Sequence, residues 1–211
     1  PIAVAKIVAS EIGLDAVSIA SALIHDVVED NNDHTLERIQ KEFGDKIAKI
    51  VDGLTKIGKL NTKGYSDVSI QAENYRKMLL TLNEDVRVII IKIADRLHNM
   101  QTLGSMPYEK QIQKASETLY IYAPLAHRIG LYNIKTELED LGLKYTDPDT
   151  YDEISKKLIE SKKDQDEYID KFNSIISSTL TKEKLKYNIK GRTKSIFSIN
   201  NKMIRQGISF E

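Results

Sequence analysis

The stretch Asp85-Val-Arg-Val-Ile-Ile-Ile-Lys-Ile-Ala-Asp-Arg-Leu-His-Asn-Met-Gln-Thr-Leu103 decides the fold. Its density of β-branched residues would suit a buried strand. The apolar pattern does not stop at strand length. It continues through Leu97 and Met100, and this continuation predicts a buried helix instead. Working outward, helical spacing recurs. Val4, Ile7, Val8 and Ile12 mark a first helix, which Gly13 ends. Asp15 is placed to cap a second, carrying Val17, Ala20, Leu23, Ile24, Val27 and Val28. Thr35 can cap a short helix with Leu36, Ile39 and Phe43, and another runs from Asp45 through Leu54. Gly58 to Ser69 reads as an exposed loop and Ile70 to Thr81 as a helix. Pro107 opens the next helix and Pro124 breaks or kinks it. Leu125 to Ile129 forms a short piece, and Ile134, Leu138 and Leu141 mark one more helix. Asp147-Pro148 reads as cap and first residue of a further helix. Tyr151 to Thr181 reads as one charged, lysine-rich helix. Only four prolines and ten glycines interrupt 211 residues, in keeping with an all-α fold.

Composition narrows the function. Hydrophobic residues make up 41% and charged residues 29%, as in a soluble globular protein with a core. Thirty-one basic and 31 acidic residues give a formal net charge of zero, which argues against nucleic-acid binding by the chain as a whole. There is no cysteine, so disulfides and zinc–thiolate sites are excluded. A metal ion would have to be held by Asp, Glu and the four histidines. No apolar run approaches the ~18 residues of a membrane span. No signal peptide is visible, and the expected compartment is the cytoplasm. The sequence opens at Pro1 rather than methionine, so the true N-terminus is expected upstream.

The densest chemical signal is His25-Asp26-Val27-Val28-Glu29-Asp30. On a continuous helix His25 would share a face with Glu29, and Asp26 with Asp30. The upstream residues Ala20 to Ile24 are apolar. Three carboxylates gathered beside a core cost free energy unless a cation compensates them. A divalent ion would do so, and an imidazole with carboxylates suits manganese, iron, zinc or magnesium. The alternative is a solvated acidic helix end. A second cluster, Ala94-Asp95-Arg96-Leu97-His98-Asn99, follows the apolar run and ends it with a carboxylate. Asp95 either pairs with Arg96, Arg87 or another cation, or supplies a remote ligand to the His25–Asp26 pair.

With these residues in view, the sequence resembles the HD-domain phosphohydrolases. More closely it resembles the hydrolase half of the bifunctional RelA/SpoT homologues, which make and degrade guanosine tetra- and pentaphosphate. The matching segments are His25-Asp-Val-Val-Glu-Asp30, Ile50-Val-Asp-Gly-Leu-Thr-Lys56, Gln71-Ala-Glu-Asn-Tyr-Arg-Lys-Met78, Lys92-Ile-Ala-Asp-Arg-Leu-His-Asn-Met100 and Ile121-Tyr-Ala-Pro-Leu-Ala-His-Arg128. The resemblance implies an HD-type helical bundle over residues 1–150, a linker helix region over 151–183, and the start of an α/β synthetase domain over 184–211. It implies that His25, Asp26 and Asp95 are metal ligands, usually for Mn2+. Glu29 and Asp30 would orient and activate the attacking water, and Asn99 and Thr102 would lie near ribose and phosphates. The implied reaction is metal-dependent hydrolysis of the 3′-pyrophosphate, giving GDP or GTP and pyrophosphate, within the bacterial stringent response. Attached synthetase and regulatory domains are the implied partners in the full-length protein, without membrane or direct nucleic-acid contact.

Two departures from the family pattern stand out. The pattern places a histidine ligand just before the proline matching Pro1, so three of four usual ligands are expected here, and upstream basic residues that hold the base would be absent. Gln101 stands where the family commonly has arginine, which would remove one positive charge from the pocket.

The basic tail Lys190-Gly-Arg-Thr-Lys-Ser195 resembles the entry to the synthetase domain, with Arg192 and Lys194 at phosphate-binding positions. Read alone it is equally a solvated basic turn, and no synthetase activity is expected from this chain. Lys184 to Ile189 alternates as a strand would. His98 is expected to pack or to hydrogen-bond near the site, His127 to be structural and His34 to be exposed. Tyr120, Tyr122 and Tyr132 read as core or interface packing. The competing functional class is a catalytically silent, nucleotide-binding regulatory domain controlling an attached synthetase. A general HD nucleotidase is a weaker third.

Overall fold

The computed structural model describes residues 1–30, 34–58, 85–189, 191 and 193–210. The side chain of Asp30 falls outside that description, as do the expected loop and helix between residues 59 and 84 and the family-like segment 71–78. Among the described residues the regular structure is helical and no strand forms. The chain divides into two compact units, residues 1–142 and 143–211.

The first unit is built around the stretch that opened the sequence reading. It forms helix α6, Val86–Gln101. Asp85 caps it by accepting from the Arg87 backbone N–H at 3.0 Å. Val88, Ile89, Ile91, Ile93, Ala94, Leu97 and Met100 are all buried, so little of its circumference meets solvent. Each of these Val, Ile, Leu and Met side chains stabilises the unit by about 1.5–3 kcal/mol through its burial. Around α6 lie α1 (Ile2–Lys6), α2 (Ala16–Leu23), α3 (Val27–Asp30), α4 (Leu36–Phe43) and α5 (Asp45–Gly58). Helices α1, α2 and α5 each touch α6. Helix α5 comes close because Gly53 presents no side chain. A Cβ there would stand 2.9 Å from Val88 Cγ2.

The expected caps form. Asp15 accepts from the Ser18 N–H at 3.0 Å, and Thr35 from the Arg38 N–H at 3.4 Å. Gly13 ends the first helical segment, which closes in a π-helical turn over Ile7–Ile12, at a left-handed φ of 79°. After α6 come α7 (Tyr108–Glu117), a π-helical turn over Thr118–Tyr122, α8 (Ala123–Arg128) and α9 (Tyr132–Thr146). Pro124 was expected to break or kink this run. It falls instead in the first turn of α8, directly after the π turn. There its missing N–H is no loss, so the chain stays helical across it.

The division between units falls within α9, after Gly142. The second unit contains α10 (Pro148–Glu160), α11 (Lys162–Lys182) and α12 (Ile196–Gln206). Asp147 caps α10, with Pro148 in its first turn, as the sequence indicated. The single helix expected over Tyr151 to Thr181 is two. At the junction the Ser161 hydroxyl donates to the Lys157 carbonyl at 2.8 Å, a local bond that competes with helix continuation. Lys184 to Ile189 is not a strand, because alternation forms no ladder without a neighbouring strand. Among the described residues no helix is long and apolar enough to cross a membrane.

Candidate active site

The helix expected to run from Asp15 through Val28 is interrupted. Helix α2 ends at Leu23, Ile24 leaves helical geometry with φ −115° and ψ 15°, and His25 and Asp26 occupy a turn before α3. The two residues therefore do not stack above Glu29 and Asp30 on one continuous helix. The turn has its own logic. His25 Nδ1 donates to the Ala22 carbonyl at 2.8 Å, which fixes the ring and leaves Nε2 facing away from the backbone. The ring is buried, with 2% of its side chain exposed.

Nε2 faces two carboxylates. Asp26 Oδ2 lies 2.9 Å away and Asp95 Oδ1 3.6 Å away. Asp95 comes from α6, so the two sequence clusters do meet in space. Neither oxygen is aligned for a hydrogen bond, and Nε2 is a buried polar atom without a hydrogen-bond partner. Burial disfavours charge on this imidazole, but the Asp26 and Asp95 carboxylates outweigh it and hold its pKa up at about 9. Burial likewise works against ionised Asp95, and His25 and Lys92 overcome it, so Asp95 lies well below the usual carboxylate range.

Asp95 does not pair with Arg96 or Arg87. Its Oδ2 lies 3.1 Å from Lys92 Nζ, one turn earlier on α6. Its Oδ1 accepts from Asn99 Nδ2 at 3.1 Å, one turn later. Arg87 pairs with Asp85 at 2.7 Å and with Asp15 at 3.4 Å. Arg96 turns inward to Glu117 of α7, Nη2 to Oε2 at 2.9 Å, and its guanidinium carbon sits 4.1 Å from the centre of the Tyr122 ring. Both Arg96 and Glu117 are 7% exposed, and the pair is a buried tie between α6 and α7.

The remaining expected site residues are spread around this centre. Glu29 is exposed on α3, and its charge reaches Lys92. Asp30 ends α3, with its side chain outside the described residues. Asn99 is exposed and engaged with Asp95. Thr102 closes α6, its hydroxyl donating to the His98 carbonyl at 3.0 Å. Gln101 carries no charge but is engaged within the fold. Its side-chain amide donates to Glu137 of α9 at 2.7 Å and ties the end of α6 to that helix. His127 packs edge-on against Tyr132 with ring centres 5.5 Å apart, a structural role. His34 is half-buried rather than exposed. Tyr122 is buried, whereas Tyr120 and Tyr132 are mostly exposed. Lys194 is exposed in the second unit, and Arg192 lies outside the described residues.

His25, Asp26 and Asp95 offer one imidazole nitrogen and two carboxylates, the donor chemistry of a divalent ion. Nε2, buried and ion-paired with Asp26, is the imidazole atom such an ion would take. As they stand, these side chains do not enclose an ion: no group of three or more His, Cys, Asp or Glu among the described residues could hold one. The carboxylates sit against the imidazole itself, as they would around a protonated ring. Lys92 and Glu117 were not singled out by sequence reasoning, and Arg96 only as a possible partner of Asp95. The spacing of Lys92 from Asp95, three residues on one helix, was the available signal.

Residues 1–132 match the HD-domain family. The chain is 44% identical to a GTP pyrophosphokinase of Myxococcus xanthus over 212 aligned residues, all of this chain and 28% of that protein. It is 43% identical to a probable GTP pyrophosphokinase of Mycobacterium leprae, again over the whole chain and 26% of that protein. A guanosine-3′,5′-bis(diphosphate) 3′-pyrophosphohydrolase of Aquifex aeolicus is 45% identical over 96% of this chain and 28% of its own length. The chain thus spans less than a third of these curated relatives. It belongs to the HD-domain family and, within it, to the RelA/SpoT homologues.

Proposed function

We propose that this chain is the hydrolase part of a guanosine tetra- and pentaphosphate enzyme, cleaving the 3′-pyrophosphate to leave GDP or GTP. The observation that carries the reading is the meeting, from two separate stretches of sequence, of the buried His25 Nε2 with the oxygens of Asp26 and Asp95. The Aquifex relative named as a 3′-pyrophosphohydrolase supports the direction of the reaction. His25, Asp26 and Asp95 would hold Mn2+, with any further donor coming from outside this set. When bound, the ion would lower the pKa of a water molecule and neutralise phosphoryl charge.

The protein side chains do the rest. The Ala22 carbonyl keeps the His25 proton on Nδ1, so that Nε2 is the donor atom. Lys92 and Asn99 hold the Asp95 carboxylate from opposite ends, which fixes where its oxygens point. Glu29 or Asp30 accepts the proton of the attacking water as general base. Asn99 and Thr102 stand at the end of α6 for the ribose and phosphates. The compartment consistent with this substrate is the cytoplasm, and the partners are the synthetase and regulatory domains of the longer protein, Arg192 and Lys194 lying on the synthetase side.

The test is manganese-dependent release of pyrophosphate from guanosine tetraphosphate by the full-length protein. Release that falls by a factor of 100 or more (on the order of one ligand's contribution) in Asp95→Asn supports the reading. Release by neither protein, with manganese present, overturns it.

Gln101, standing where the family commonly has arginine and bound to Glu137, favours a second reading, a silent domain that binds the nucleotide and controls the attached synthetase. Tight nucleotide binding without turnover would select it.

A further inference from the structure

Two helices carry the facing pair of the acidic centre. Helix α2 leads into the His25 turn, and α6 carries Asp95. The same two helices also meet at their starts. Asp15 caps α2 and Asp85 caps α6, and the Arg87 guanidinium joins the two caps. Its Nε donates to Asp85 Oδ1 at 3.0 Å and its Nη2 to Asp85 Oδ2 at 2.7 Å, a two-pronged grip that fixes the plane of the group. Its remaining arm, Nη1, donates to Asp15 Oδ2 at 3.4 Å. Asp15 divides its oxygens, because Oδ1 accepts from the Ser18 N–H at 3.0 Å. His25 lies ten residues after Asp15, and Asp95 ten after Asp85. With contacts at both ends, α2 and α6 run side by side in the same direction. The clamp stands about 15 Å along α6 from Asp95.

The fully buried residues of α2 are Ser18, Ser21 and Ala22, all small. They present no long side chain to lodge between those of α6. The two serine hydroxyls are used inside α2, on Asp15 Oδ1 and on the Val17 carbonyl. Apolar burial is non-directional, so it draws the helices together more than it sets how far one slides along the other. The Arg87 contacts are directional, and the guanidinium also offsets the repulsion between two capping carboxylates brought to one place. We propose that Arg87 is a positioning residue. By joining the caps of α2 and α6 it sets the axial register of the two helices, and with it the 3.6 Å approach of His25 Nε2 to Asp95 Oδ1. This rests on the reading of His25, Asp26 and Asp95 as ligands of one ion, and adds a determinant outside the motif residues. Such an ion tolerates only about 0.2 Å in its ligand distances, so a small slip is enough to weaken it. A partly exposed ion pair adds little to stability. What the clamp contributes is geometry.

The test uses the full-length protein as wild type, Asp15→Asn, Arg87→Gln and the two combined. Asparagine keeps an oxygen to cap α2 and removes only the ion pair. Manganese affinity is measured by calorimetry and melting temperature without metal. Pyrophosphate release from guanosine tetraphosphate at saturating manganese gives kcat and KM. Each single change is expected to weaken manganese binding by about two- to fivefold, within what a partly exposed ion pair can transmit. The combined variant should lose no more than Arg87→Gln, because the two residues act through one contact. The loss in turnover should lie in kcat with KM unchanged, and the metal-free melting temperature of Asp15→Asn should stay close to wild type. Unchanged manganese affinity in both single variants overturns the clamp even if wild type hydrolyses the nucleotide. So do losses that add in the combined variant, or that appear only where the metal-free melting temperature falls with them. Weaker manganese binding in the variants of a wild type that hydrolyses nothing leaves the clamp standing and removes the hydrolase reading. Wild type that binds no manganese overturns the clamp together with the metal reading.

Discussion

At the scale of single residues, the arrangement around Asp95 separates two kinds of charge. Asp95 and His25 face each other beside Asp26, while Arg96, the next residue along, is turned to the opposite side and buried against Glu117 and Tyr122. A buried ion pair adds little net stability, but breaking it is expensive because a lone charge remains. Arg96→Met should therefore cost about 3–5 kcal/mol in urea unfolding. Replacing both partners, Arg96→Met with Glu117→Leu, should recover much of that loss. A single variant as stable as wild type would show that the pair is not the tie between α6 and α7. The motif residues were legible in the sequence, since a histidine and carboxylates beside apolar runs call for compensation. The partners were not. Lys92 at 3.1 Å from Asp95 and Glu117 at 2.9 Å from Arg96 are choices among several nearby cations and carboxylates, and linear spacing does not rank them.

At the scale of elements, the apolar period identified α6 as a helix although its composition favours strand. Burial nearly all round the helix is the reason, because a central helix can use β-branched residues wherever packing rewards them. The period could not show the break at Ile24. It reports which residues are apolar, not where a side chain such as His25 takes a backbone carbonyl for itself. Two elements invite tests. Gly53→Ala would drive a Cβ into Val88 and should destabilise the unit by about 1–3 kcal/mol, read from the unfolding midpoint. A combined Gly53→Ala, Val88→Ala variant should be less destabilised than the sum of the single changes. At the start of α6, the hydrogen bond from Arg87 holds Asp85 below its usual pKa. A carboxylate lowered in the folded state stabilises it above the unfolded pKa, and this is lost as pH falls through the folded value. Asp85→Asn keeps the capping oxygen and removes the charge. It should be less stable than wild type at pH 7, and the gap should close in acid. A gap that is constant with pH would show that the charge of Asp85 does not carry the effect.

At the scale of the molecule, the all-α class followed from helical periodicity, whereas the division after Gly142 lies within a continuous helix and well before the change in composition at the tail. The separate helices α10 and α11 did not follow from periodicity either, because their junction depends on the back-bonded hydroxyl of Ser161 within an otherwise continuous pattern. A ligand that binds only the folded state stabilises the unit holding it. Manganese at about 100 times its dissociation constant should add about 2.7 kcal/mol, or about 5–10 °C in melting temperature for a domain of this size. Asp95→Asn should lose most of that shift, and a shift preserved in this variant would move the metal away from α6. The most direct measurement remains pyrophosphate release from guanosine tetraphosphate by the full-length protein with manganese, set beside Asp95→Asn. Metal-dependent release in wild type and its collapse in the variant is the expected result. Nucleotide bound tightly but left intact by the metal-replete wild type would contradict hydrolysis at this centre.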